Sequence, residues 1–137
     1  MLGLVQCWGN SDHGQLDTPK RTVLQVDAGG WHTCSLMTTE TIECWGSDLY
    51  GQLQAPQGVF RQVSSGWEHS CAIDQEGGID CWGRNDRNQC DAPDGRFVQV
   101  FAGFGYSCAV SEQGELLCWG KEVEGAGGPQ GFMVFGG

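Results

Sequence analysis

HSCAIDQEGGIDCWG, residues 69–83, reads as a hairpin. Two short runs, HSCAI (69–73) and IDCWG (79–83), flank DQEGG (74–78), whose charges and glycines suit a turn. Setting Ile73 opposite Ile79 also sets Cys71 opposite Cys81. Side chains alternate along a strand, so Ile73, Cys71, Ile79 and Cys81 share one face while Ala72 and Trp82 share the other. Both faces are apolar. Such a strand pair needs cover on both sides, and a stack of similar sheets supplies it.

The chain carries the copies for such a stack. CWG stands at 7–9, 44–46, 81–83 and 118–120, always 37 residues apart and without insertions. GQL at 14–16 and 51–53 becomes NQC at 88–90, and Pro19, Pro56 and Pro93 align. So do QV at 25–26, 62–63 and 99–100, and Gly29, Gly66 and Gly103. HTC (32–34), HSC (69–71) and YSC (106–108) complete the unit. Self-similarity at this period marks a repeat architecture. Glycine contributes 23 of 137 residues, and no stretch repeats apolar residues at helical spacing, so the fold is expected to be all-β. Each unit offers three strands, in the first VLQVDA (23–28), HTCSLMT (32–38) and TIECWG (41–46). Trp8, Trp45, Trp82 and Trp119 are expected as wedges between sheets, with the following glycine turning the chain away. Cys90, in the column of Leu16 and Leu53, reads as a core substitution.

Read from Trp45 to Gly83, this pattern resembles the repeat of the regulator of chromosome condensation (RCC1-like) family, whose repeats are blades of a seven-bladed β-propeller. The resemblance implies a β-propeller-type array of 37-residue repeats, about three and a half blades in an incomplete ring. Residues 1–120 hold the array and 121–137 a degenerate partial last repeat, in which KEVEGAGGPQG (121–131) lacks the Gly-Gln-Leu column. FMVFGG (132–137) resembles FVQVFAG (97–103), as if opening a further unit, and Cys7 has no in-register partner. The expectation is a fragment of a longer propeller, several chains sharing one ring, or an open arc. Uncovered edges would invite a homo-oligomer through the end blades. The short, uncharged MLGLV start does not read as a signal peptide as written.

Six cysteines form three opposed pairs: Cys34 with Cys44, Cys71 with Cys81, and Cys108 with Cys118. Opposed cysteines can form a disulfide at a non-hydrogen-bonded pair, where side chains approach closest. The alternative is a duplicated pair of small buried hydrophobes. The resemblance to secreted members with paired cysteines favours disulfides. Oxidised pairs imply an extracellular protein, reduced pairs a cytoplasmic one.

His32, Cys34 and Cys44, repeated as His69, Cys71 and Cys81, could be drawn as three zinc ligands, but Tyr106 breaks the set in the third unit. A structural histidine is expected, hydrogen-bonded to a turn, with no metal and no cofactor. GWEHS (66–70) resembles the motif of the plant ultraviolet-B photoreceptor, yet Glu68 replaces its arginine and Trp67 stands alone in its column. No nucleophile elbow, phosphate loop or recurrent carboxylate pair is present, so no catalysis is expected. Guanine nucleotide exchange, which the resemblance also implies, would need loops that the sequence does not identify. Net charge of −10 opposes nucleic-acid binding, and no apolar run approaches the ~20 residues of a membrane span. The remaining function is a protein-binding module, or a structural or truncated fragment without independent function. Its partner would be another protein or further propeller blades. NSDH (10–13), SDLY (47–50) and RNDR (84–87) differ at one loop position, making His13, Tyr50, Arg84 and Arg87 the candidate contacts.

Overall fold

The computed structural model describes residues 22–120, together with the backbone of Gly3–Leu4 and Met133–Phe135. Among these residues every regular element is a strand. β1 (Gly3–Leu4), β2 (Thr22–Ala28), β3 (His32–Met37) and β4 (Ile42–Gly46) form a first sheet in that order. β5 (Phe60–Ser65), β6 (His69–Asp74) and β7 (Ile79–Gly83) form the second. The third contains β8 (Phe97–Ala102), β9 (Tyr106–Ser111), β10 (Leu116–Gly120) and β11 (Met133–Phe135). Between residues 22 and 120 the three expected strands per unit are thus present, and among the described residues the sheets do not close into a ring. β11 pairs antiparallel with β10, setting Leu116 against Phe135. It therefore extends the third sheet instead of opening a new one, as its likeness to 97–103 suggested. Trp8 and His13 lie outside the described residues.

Hairpin register follows the cysteines. Cys34 faces Cys44, Cys71 faces Cys81 and Cys108 faces Cys118. The amides of Met37, Asp74 and Ser111 bond to the carbonyls of Thr41, Gly78 and Glu115, so hydrogen-bonded pairs fall at every second position from there. The cysteines occupy the alternate, closer pairs. Their sulfurs lie 2.13, 2.11 and 2.00 Å apart, forming one disulfide in each hairpin. Gly46, Gly83 and Gly120, which close the three described CWG triplets, have positive φ, and a Cβ on Gly83 would stand 2.7 Å from the Glu68 carbonyl oxygen. Only glycine fits there without displacing backbone.

Each first strand carries a register shift, between Val23 and Gln25, Phe60 and Gln62, and Phe97 and Gln99. This bulge is the reason for the spacing of F.QV. It turns the aromatic residue and the valine three positions later to the same face, although strict alternation would oppose them. Phe60 and Val63 accordingly join Ala72 and Trp82 against Cys34 and Leu36 of the preceding sheet. Phe97, Val100, Ala109 and Trp119 meet Cys71 and Ile73 in the same way. Trp82 and Trp119 lie in these two clusters, each packed between its own sheet and the preceding one. Trp82 and Trp119 also donate from Nε1 to the carbonyl oxygens of Gln52 and Gln89, at 2.8 and 2.9 Å. Buried indole N–H groups thereby find acceptors in the GQL column.

Polar contacts repeat with equal regularity. The Gln25 side chain donates to the Val63 carbonyl at 2.9 Å and accepts from the Val63 amide at 3.2 Å. Gln62 makes both bonds to Val100, each at 3.0 Å. A side-chain amide mimics a peptide unit, so each glutamine binds the open edge of the next first strand as a neighbouring strand would. Glycine lets these strands approach: a Cβ on Gly29 would sit 2.1 Å from the Gly66 carbonyl oxygen.

Candidate functional site

The loops entering β3, β6 and β9 and the loops leaving β4 and β7 gather on one rim of the stack. Here the sequence places large apolar side chains that the core does not use. Trp67 and Phe104 are 47% and 52% exposed and meet edge to face with ring centroids 5.1 Å apart. Beside them Arg84 donates from Nη1 to Glu68 Oε1 at 2.7 Å and from Nη2 to Asp86 Oδ2 at 2.8 Å. Its guanidinium carbon also lies 4.6 Å from the centroid of the exposed Tyr50 ring, a cation–π contact that joins the first and second units. Hydrogen bonding to Arg84 holds the Asp86 carboxyl below its ordinary range. Arg87 shares a small depression with Trp67, Glu68, Arg84 and Phe104. Next to it a groove of about 460 Å³ is lined by Trp67, Phe104 and Tyr106 over Gly29, Gly66 and Gly103.

Three of the four contact residues chosen from loop variation therefore lie on one continuous surface: Tyr50, Arg84 and Arg87. His13 falls outside the described residues. Trp67 and Phe104, which the loop comparison does not select, share this surface, and both occupy the position after the repeated Gly66 and Gly103. Trp67 packs on Phe104, and Glu68, which stands where the photoreceptor motif has arginine, is held by Arg84.

The histidine column serves the stack. His32 Nε2 lies 2.7 Å from Ser70 Oγ, and His69 Nε2 lies 2.7 Å from Ser107 Oγ. Ser107 donates to the Gln89 carbonyl oxygen and Ser70 to Ser65 Oγ, which leaves both serines accepting from Nε2–H. The expected partner was a turn, whereas the observed one belongs to the next sheet. Desolvation lowers both histidines to a pKa of about 4, with His32 adding a smaller repulsion at His69. These rings are neutral near pH 7. The nearby cysteine sulfurs are bonded to one another, and among the described residues no group of three or more His, Cys, Asp or Glu is arranged to hold a metal.

Cys90 departs from its expected place. It lies outside both apolar clusters, half-buried, with its thiol donating to the Arg84 carbonyl oxygen at 3.3 Å. Burial and then Asp91 push its pKa up to about 12, which keeps it a thiol and a poor nucleophile.

This architecture has clear relatives. The model of the Regulator of chromosome condensation (RCC1) repeat matches residues 23–52, 60–89 and 97–126. A comparison with curated proteins returns no match. Yeast RCC1 (Prp20), solved bound to Kap60, superposes with a TM-score of 0.75 at 21% identity, over 88% of this chain and 40% of that chain. The CRINKLY WD40 ectodomain of the Arabidopsis thaliana receptor kinase ACR4 gives 0.75 at 28% identity, over 86% and 44%. The entire ectodomain of the Physcomitrella patens receptor kinase CR4 gives 0.69 at 30% identity, over 76% and 31%. The chain spans less than half the length of each. Such a propeller-like scaffold supports a protein-binding module in general. Three matched repeats over stacked, Trp-wedged sheets make this chain a member of the RCC1 repeat family.

Proposed function

We propose that the protein is a non-catalytic binding module whose rim, formed by Tyr50, Trp67, Arg84, Arg87 and Phe104, contacts a protein partner. One observation carries this reading: the edge-to-face pair of Trp67 and Phe104 remains about half exposed beside an arginine that bridges two repeats. Tryptophan, tyrosine and arginine dominate the energetics of protein interfaces, and exposed clusters of them are unusual without a partner. Trp45, Trp82 and Trp119, by contrast, are buried and available only to the fold. Further propeller sheets are a second class of partner that this reading allows. An acidic surface argues for a partner with basic groups and against a nucleic-acid backbone. Three disulfides favour an oxidising compartment.

The test is a binding partner isolated with the unsubstituted protein and measured again with Trp67→Ala, Arg84→Ala and Arg87→Ala. Loss of about tenfold or more in affinity at Trp67, with an unchanged thermal midpoint, is the expected result. Full binding by the triple variant would remove the rim from the function.

A further inference from the structure

Among the described residues, the inter-sheet contact made twice between neighbouring sheets is left half-made on the outer faces of the first and third sheets. On the leading side, Gln99 occupies the column of Gln25 and Gln62. Those two glutamines each bind both polar groups of a valine peptide in the next first strand. Gln99 is exposed and makes neither bond. Tyr106, in the histidine column, is 42% exposed, whereas His32 and His69 are buried. Phe101, beside Gln99 on the same face, is exposed as well.

On the trailing side, Val26 occupies the column of Val63 and Val100. Those valines are 0% exposed and Val26 is 45% exposed. Ala28 is exposed too. β1 pairs with Thr22 and Val23 and stops short of Val26, so the edge that would receive a glutamine is clear of it. Thr33 and Trp45, further across that face, are already buried, which confines the open contact to the edge of β2. Gln99 and the Val26 edge thus carry the two sides of the glutamine-to-peptide contact that Gln25 and Gln62 make within the chain.

We propose that the chain associates with a second copy of itself head to tail, the Gln99–Phe101–Tyr106 face of one copy meeting the Val26–Ala28 edge of the other. Gln99 then bonds to the Val26 peptide as Gln62 bonds to Val100. The acceptor edge is specified by the contact already present twice, and the same chain supplies it. The interface is heterologous: the patch on one copy differs from the patch it meets on the other.

Light scattering on the 137-residue chain, with Cys7→Ser and Cys90→Ser excluding intermolecular disulfides, reads the association. The expected species holds two or more copies of the 14.8 kDa chain at micromolar concentration. Gln99→Glu cannot donate to the Val26 carbonyl, and Val26→Lys covers the edge with a charge. Each is expected to run as a 14.8 kDa monomer with an unchanged circular dichroism spectrum. Mixed in equal amounts, the two variants should regain a two-copy species, because the first retains an intact edge and the second an intact Gln99. A monomeric unsubstituted chain overturns the proposal. So does an assembly that both substitutions leave intact, or a mixture that stays monomeric.

Discussion

Acid should destabilise this protein through two histidines before most of its carboxylates titrate. His32 and His69 are buried and neutral in the folded state with pKa values of about 4, against 6.5 when exposed. The unfolded chain takes up these protons first. The stabilisation is therefore complete above about pH 6.5, declines as pH falls towards 4, and changes little below that. Linkage gives a loss of roughly 2 kcal/mol for each ring between about pH 7 and pH 5, or about 4 kcal/mol for the pair. Typical domains have only about 5–15 kcal/mol in all, so the effect is large. The hydrogen bonds explain why it is not relieved locally: the serines already accept from Nε2–H, and a proton on either Nδ1 would lie buried without an acceptor. Urea unfolding followed by tryptophan fluorescence at the two pH values measures the loss. His69→Gln, which can still donate to Ser107 but does not titrate, should reduce it by about half. An unfolding free energy that is flat over this range, or an equal loss in the Gln variant, would refute the reasoning.

Trp82→Phe keeps an apolar wedge but leaves the buried Gln52 carbonyl without its donor, and should cost about 1–3 kcal/mol in chemical denaturation. Trp82→Ala also opens a cavity between the first two sheets and should cost about 3–5 kcal/mol in the same assay. Gln62→Leu removes two bonds to the Val100 peptide and should lower stability by about 1–3 kcal/mol, while Gln99→Leu should change the monomer by less than about 0.5 kcal/mol. Equal effects at the two positions would contradict the inter-sheet role of the glutamine column. Replacing both Cys71 and Cys81 by Ser should cost about 2–3 kcal/mol, since their bond closes a short loop with a sequence separation of 10. Thermal unfolding of the oxidised and doubly substituted chains measures it.

What the sequence made legible was whatever depends on strand alternation and period. Opposing Ile73 and Ile79 placed Cys71 against Cys81, and the face assignment of Trp82 followed from a period of two. Contacts between sheets were not legible in the same way, because a sequence period carries no inter-sheet angle or distance. The QV column was visible as a repeat, yet its glutamine binding the next strand emerges only when β2 and β5 lie side by side. The histidine partner was missed for the same reason: Ser70 is 38 residues from His32 and belongs to another sheet. Loop variation singled out Tyr50, Arg84 and Arg87 as candidates, whereas Trp67 and Phe104 sit in a different loop column and come beside them only through the turn of the stack. Cys90 misled because a small apolar residue in a leucine column suggested core, whereas its thiol bonds to a loop carbonyl.

The register on which the stacked sheets, the wedges and the rim all depend is tested most directly by disulfide linkage. Proteolysis of the unreduced protein followed by mass spectrometry should recover Cys34–Cys44, Cys71–Cys81 and Cys108–Cys118 as linked peptides, with Cys90 a free thiol. Linkages between different hairpins, or six free thiols in protein prepared under oxidising conditions, would contradict the hairpin register and the fold built on it.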